Sequence, residues 1–354
     1  MPEPLGVKKL GVILKPTEKD FENLAVLNPG CYQEREDVHL FYRAVDQNHY
    51  SSIGYARLKG PSTVVERWER PIIYREYDYE SHGVEDPRIV KIDDTFYLFY
   101  VAHDGKNAVT ALATSHDLKD FKKNGIITPQ ITYVEAEEML KESCLKDAYF
   151  FQASLYEKLG GNDILLWLKD TFIFPRKING KFFLVTRVLP DIQIIPFNNF
   201  EELKTVEFWK SRLKNLSEYV ILENKHWFET RHVGGGCPPI ETKDGWIFLF
   251  HAVEETNKKR VYHTCAALLD KENPLRVIGR LHEPLFSPQE EWETSGFVSN
   301  VVFATGTAVF GDKLYIYYGA ADKQIAVAEV SINKLLEEMQ DPTKGHTCVQ
   351  KDQK

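Results

Sequence analysis

Cysteine, surplus positive charge and long apolar runs are all scarce in this chain. The cysteines, Cys31, Cys144, Cys237, Cys265 and Cys348, are odd in number, scattered and without any C-x-x-C spacing. Neither a disulfide framework nor a zinc site is indicated, and they read as buried thiols. Cys237, inside Gly234-Gly235-Gly236-Cys237-Pro238-Pro239, has no evident base or helix terminus to make it a thiolate nucleophile. Lys and Arg number 44 against 52 Asp and Glu, a formal charge of -8. That balance argues against a general nucleic-acid binder, which needs a basic face. No run approaches the roughly 18 apolar residues of a membrane helix, and the first ten residues hold no apolar core of signal-peptide length. The expected address is the cytoplasm, with no membrane partner.

What is present is an apolar share of 43%, with 12% aromatics, over 354 residues. That is ample for a sizeable core. An internal repeat organises it. Pro29, Tyr42 and Asp46 stand in the same spacing as Pro87, Tyr100 and Asp104, and as Pro238, His251 and Glu255. Pro175, Arg187 and Asp191 follow with one residue fewer, and Thr305, Tyr318 and Asp322 with threonine in place of proline. Each copy carries a turn signal (Glu36-Asp37, Asp93-Asp94, Asn179-Gly180, Asp244-Gly245, Gly311-Asp312) before an aromatic and β-branched run. That is the composition of a hairpin leading into a buried strand. Five units of three or four antiparallel strands, repeated around an axis, predict an all-β fold. The expected form is a single five-bladed β-propeller domain over residues 1–354. The longest excursion, about 127–163, reads as a helical insertion around Tyr133–Lys141 that caps one face. A short amphipathic helix at Leu335–Met339 precedes a polar tail, about 341–354, expected to be disordered.

Chemistry concentrates at His82-Gly83-Val84-Glu85-Asp86-Pro87-Arg88, where two carboxylates precede an aromatic strand. On an extended strand Asp86 and Arg88 share a face while Glu85 points away, so one acid is expected to reach the channel. First strands line the axis of a propeller, which brings Asn28, Arg43, Asp86, Lys169 and Asp170 together. Arg187 and His251 take the tyrosine's place in the third and fourth copies, and a basic residue in a buried strand needs an anion. Each of these also has a plain structural explanation: a turn-forming acid, a salt-bridge corner, a satisfied core histidine. Their fall at equivalent positions of different units is what points to a shared anion pocket.

The residues resemble glycoside hydrolase family 130, the β-mannoside phosphorylases and related mannosidases. Five stations spanning nearly the whole chain carry the resemblance. They are Leu27-Asn28-Pro29 with Phe41-Tyr42-Arg43-Ala44; Gly83 to Arg88; Lys169-Asp170 with Phe174-Pro175; Gly234 to Pro239 with Gly245-Trp246; and Asn300-Val301-Val302-Phe303 with Tyr317 to Asp322. The resemblance implies that Asp86 is the general acid. Inorganic phosphate is then the co-substrate, attacking the anomeric carbon to give α-mannose 1-phosphate, with no metal and no organic cofactor. Lys169, Arg187 and His251 match the family's phosphate-binding positions, and Asn28, Arg43, Asp104 and Asp322 those around the mannose. Phosphate arrives nucleophilic, so no second catalytic carboxylate is required. Arg176, Ala252 and Ala304 depart from the family pattern. A homo-oligomer is the assembly left open. Two alternatives stand beside this reading. One is an inverting β-mannosidase using water and a base such as Glu241, Glu254 or Glu255. The other is a non-catalytic carbohydrate-binding propeller. Trp227, Trp292 and Tyr133 suit sugar stacking in any of the three.

Overall fold

The computed structural model describes residues 5–256 and 259–341. The tail expected to be disordered lies, after Asp341, outside the described residues, as does Cys348. The chain is mostly β, and its strands group into antiparallel units that follow the sequence repeat. The first unit comprises Ala25–Glu34, Asp37–Val45, Ser51–Lys59 and Thr63–Arg67; the second Gly83–Ile92, Thr95–His103, Ala108–Ser115 and Lys122–Ile126. These two form one eight-stranded sheet joined by a single parallel pairing, Ser51 with Gly83. Lys169–Ile173, Phe182–Arg187, Ile192–Phe197 and Val220–Leu222 make the third. His232–Gly235, Trp246–Thr256, Lys259–Leu269 and Val277–Arg280 make the fourth, with the short Ile240–Glu241 pairing at its side. Val302–Phe310, Lys313–Ala320 and Gln324–Ser331 make the fifth, which is completed by the N-terminal strand Lys8–Leu14.

The second strand of each unit is apolar on both faces because it lies in the middle of its sheet and between neighbouring units. Phe41, Tyr42, Phe99, Tyr100, Tyr317 and Tyr318 are at most 1% exposed. A buried glutamate secures the tyrosines. Glu22 accepts from the Tyr42 hydroxyl (2.7 Å) and Arg67 Nη2 (2.9 Å). Glu80 accepts from Tyr100 (2.7 Å) and Lys123 Nζ (2.6 Å), and Glu293 from Tyr318 (2.7 Å) and Lys9 Nζ (2.8 Å). Glu229 does the same for Arg280 in the fourth unit. Each cation comes from the fourth strand of its own unit, so the arrangement ties the outer edge to the inner hairpin. All four carboxylates are fully buried, and such charges persist in a core only when paired.

Pairing corrects the sequence frame in two units. Leu27, Glu85, Lys169, Gly234 and Phe303 sit opposite Arg43, Val101, Arg187, His251 and Gly319. Arg187 and His251 therefore occupy the position of Arg43, one past the tyrosine; Thr186 and Phe250 stand in the tyrosine's place. A fixed count from the proline cannot register this, because Pro29 and Pro87 stand just past Leu27 and Glu85 inside the first strand, whereas Pro175 and Pro238 stand farther past Lys169 and Gly234, beyond its end.

The insertion holds two helices. Helix α1 (Tyr133–Leu140) begins with a capping box between Thr132 and Glu135, and α2 (Ala148–Gly160) packs on it through Tyr149 and Ala153. Helix α3 (Val206–Lys214) lies in the polar stretch between the third and fourth strands of the third unit, and α4 (Glu291–Thr294) carries Glu293. Helix α5 (Ile332–Gln340) is longer than expected, is capped by Ser331 and buries Leu335, Leu336 and Met339. Cys31, Cys237 and Cys265 are buried, whereas Cys144 is exposed, contrary to expectation. Among the described residues no helix is long and apolar enough to cross a membrane.

Candidate active site

The first strands of three units break their pairing at one place. Register shifts between Leu27 and Gly30, Glu85 and Arg88, and Lys169 and Phe172 enclose Asn28, Asp86 and Asp170, whose φ angles are 49°, 47° and 57°. Asn and Asp tolerate this left-handed conformation better than other residues with a side chain, and a bulge there re-aims the side chain. The result is a ring of polar groups around a cavity of about 260 Å³.

The expected acid Asp86, the expected phosphate residues Lys169, Arg187 and His251, and the expected mannose residues Asn28, Arg43 and Asp322 all line this cavity, whereas Asp104 does not. Asp104 instead accepts from the backbone N–H groups of Lys106 (2.8 Å) and Asn107 (2.6 Å) and from Asn107 Nδ2 (3.0 Å). It caps a turn, the ordinary role for an acid just past a strand. Strict alternation also fails at Asp86. The Glu85 carboxylate, expected on the opposite face, accepts from Arg43 Nη2 at 2.7 Å, while Arg43 Nη1 lies 3.8 Å from Asp86 Oδ1. One guanidinium thus faces both acids, although only Asp86 lines the cavity. Arg88 runs behind it, donating from Nε to the Gly236 carbonyl (2.7 Å) and from Nη1 to the Asp86 carbonyl (2.6 Å).

Asn28 Nδ2 donates to Asp86 Oδ1 at 2.8 Å. Gly319 makes this possible: a Cβ there would collide with Asn28 Oδ1. Across the cavity Arg187 Nη1 is 2.8 Å from Asp170 Oδ2 and 3.3 Å from His251 Nε2. Burial pushes the His251 imidazole down to about 3, Asp170 opposing. A neutral ring beside a guanidinium keeps Nε2 as acceptor and its proton on Nδ1. His251 Nδ1 and Arg187 Nε are both buried without a protein partner. Lys169 has no carboxylate partner among the described residues; its ammonium sits 5.8 Å from the Trp167 ring centre. Burial pushes the Asp170 carboxyl up, but its cationic neighbours, Arg187 foremost, outweigh that and hold it below the usual range. Asp322 goes the other way: burial, with repulsion from Asp86 and against the pull of Arg43, lifts it to about 6.

Several lining residues escaped the sequence reading: Tyr156, Trp167, Arg231, His232, Arg260 and Tyr262. Arg231 and His232 had a signal, because Glu229-Thr230-Arg231-His232 parallels Glu80-Ser81-His82 just before a first strand. Tyr156 comes from α2 and had none. The expected stacking residues do not line the cavity. Trp227 is 57% exposed beside Glu283, Trp292 lies on α4, and Tyr133 is buried beneath Tyr156 in a stacked pair 5.0 Å apart. The candidate glutamate bases do not line it either. Glu241 pairs with Arg176 and Lys271, Glu254 lies 3.5 Å from His263, and Glu255 holds the rim arginines Arg231 and Arg260. Burial pushes the Cys237 thiol up to about 12, which leaves it protonated.

A family model described as beta-1,4-mannooligosaccharide phosphorylase matches residues 12–341. The chain belongs to glycoside hydrolase family 130. Within that family, the 1,2-beta-oligomannan phosphorylase of a Thermoanaerobacter species is 33% identical over 329 residues, covering 90% of this chain and 93% of that protein. The beta-1,4-mannooligosaccharide phosphorylase of Ruminococcus albus is also 33% identical, over 192 residues, 53% of this chain and 54% of that one. The solved Listeria innocua beta-1,2-mannobiose phosphorylase, in complex with beta-1,2-mannobiose, shares the fold with a TM-score of 0.70. Its identity is 23%, over 94% of this chain and 99% of that chain.

Proposed function

We propose that this family 130 enzyme is an inverting β-mannoside phosphorylase. The observation that carries the proposal is the convergence of Lys169, Arg187 and His251 on one cavity, where the Lys169 ammonium has no carboxylate partner among the described residues. An oxyanion such as phosphate suits a cluster of basic side chains of this kind. Asp86 faces them as the general acid. Its Oδ1 is engaged by Asn28, which leaves Oδ2 to carry the proton. That proton passes to the glycosidic oxygen, directly or through a hydroxyl of the bound mannose, as the C1–O bond breaks. Phosphate attacks C1 from the opposite side, and α-mannose 1-phosphate is the product. Preorganised cations there stabilise the charge crossing from nucleophile to sugar. None of Glu241, Glu254 and Glu255 lines the cavity, which counts against a hydrolase that uses one of these glutamates as its base.

The relatives that match across 90% and 91% of the chain are named for β-1,2-linked mannosides, which makes that linkage the first choice of substrate. Closure into a five-bladed propeller is part of the proposal. It is supported by the N-terminal strand completing the fifth unit and by Arg88 of the second unit bonding the Gly236 carbonyl of the fourth. A charged sugar phosphate stays within the cell that makes it, which supports a cytoplasmic setting. Phe151 and Leu159, 68% and 75% exposed on α2, support a homo-oligomer. The test of the site is Lys169→Ala assayed across phosphate concentrations. Its KM for phosphate should rise about tenfold or more, the worth of a charge-assisted hydrogen bond. An unchanged phosphate KM removes Lys169 from the anion site.

A further inference from the structure

Trp167, which lines the cavity, begins a line of rings that runs from it onto the second and first units. Ring centres step from Trp167 to His103 (6.2 Å), from His103 to His82 (5.2 Å) and from His82 to Tyr50 (5.6 Å), each edge to face. Arg75 covers one face of Tyr50 at 3.9 Å. Here the line meets a second cavity of about 190 Å³, lined by Asp46, Tyr50, Ser52, Tyr74 and Arg75 among others. The Ser52 hydroxyl is buried without a partner among the described residues, and Tyr74 is 56% exposed. Five separate stretches of chain, at residues 46–52, 74–75, 82, 103 and 167, supply these groups.

The mixture is specific in kind. Single rings in file, with carboxylate, guanidinium and hydroxyl groups at the far end, suit a pyranose, which has an apolar C–H face and a hydroxyl rim. A protein partner would call for a broad contiguous apolar patch instead. The direction follows from the chemistry of the first cavity. An oligosaccharide whose reacting mannose sits at Asp86 has to extend out of this cavity, and Trp167 is the lining residue at which the file of rings starts.

We propose that the Trp167–His103–His82–Tyr50 line, ending in the Tyr50–Tyr74–Arg75 cavity, is a track for the leaving-group sugars of a β-mannoside oligosaccharide. The preferred substrate is accordingly longer than a disaccharide. This rests on the phosphorylase reading. The experiment compares kcat/KM for mannotetraose and mannobiose, in β-1,2 and β-1,4 series with saturating phosphate, for the natural chain, Tyr50→Ala and Tyr74→Ala. The exposed Tyr77, 47% exposed and outside the second cavity, provides the control as Tyr77→Ala. The natural chain should prefer the tetraose. Tyr50→Ala and Tyr74→Ala should each lower the tetraose-to-biose ratio up to about tenfold, the worth of an aromatic contact. The loss should fall chiefly in KM, and Tyr77→Ala should keep the natural ratio. Equal use of both lengths by the natural chain, or an unchanged ratio in both track variants, overturns the track and leaves the phosphorylase reading standing. Absence of turnover on every mannoside overturns that reading and the track with it.

Discussion

Asn28 and Asp86, 58 residues apart and on different units, meet through a 2.8 Å hydrogen bond made by two side chains whose backbones are both left-handed. Each sits in a bulge at the same place in its first strand. The bond orients the carboxylate by occupying Oδ1, and its geometry depends on the bare backbone of Gly319.

Gly319→Ala is accordingly expected to push Asn28 off Asp86. A displacement of about 1 Å at a reacting group costs on the order of 10²-fold in rate. The loss should appear in kcat, with circular dichroism of the folded chain retained. A fully active Gly319→Ala enzyme would show that Asn28 does not position the acid.

Gly234→Ala should act on the other half of the cavity. Its Cβ would lie 2.7 Å from Asp170 Oδ2 and collide with the His251 ring. The KM for phosphate should rise more than that for the mannoside, read from initial rates with each substrate varied in turn. An equal effect on both would place this wall away from the phosphate.

Asp322 carries a cost that function explains. Its carboxyl, lifted to about 6 by burial against an ordinary value of 3.8, binds a proton more tightly in the folded chain than in the unfolded one. The stability it contributes is therefore complete below about 3.8 and is lost as pH rises through about 6. Asp322→Asn should gain roughly 1–3 kcal/mol at pH 7 in urea unfolding, with the gain vanishing near pH 4. The same variant should lose activity, since Asp322 lines the cavity. No pH dependence in the stability difference would refute the lifted carboxyl.

Glu80→Ala should be among the most damaging single changes outside the cavity. It removes the buried partner of the Lys123 ammonium, whose side chain is 7% exposed and which keeps only the Tyr74 carbonyl and the more exposed Glu76, and it orphans the Tyr100 hydroxyl. Removing one partner of a buried pair costs about 3–5 kcal/mol. Urea unfolding of Glu80→Ala and of the double variant Glu80→Ala/Lys123→Met checks this. The double variant should recover part of the loss.

The repeat made the architecture legible because hairpin turns and aromatic strands have short-range signatures, and five copies reinforce one another. The cavity was legible where its residues neighbour those signatures: Asn28, Asp86, Lys169, Asp170 and Asp322 all flank strand starts or ends. Arg187 and His251 were singled out, but in the wrong register, since Pro175 and Pro238 lie beyond the first strand and are not the counterparts of Pro29 and Pro87. Asp104 was misassigned because the same acid at the same place serves a turn in one unit and the cavity in another. Tyr156 reaches the cavity from a helix whose docking rests on tertiary packing, which no local pattern encodes. Trp227 and Trp292 misled because aromatic residues that flank first strands can lie on the outside of their units.

Product analysis decides the central claim. The natural chain is incubated with β-1,2- and β-1,4-mannobiose, with and without inorganic phosphate, and the anomeric products are followed by NMR from the first minutes. α-Mannose 1-phosphate that forms only when phosphate is present, and that Asp86→Asn fails to produce, is the result expected. Free mannose released at the same rate without phosphate, or an Asp86→Asn enzyme that still turns over, would contradict it.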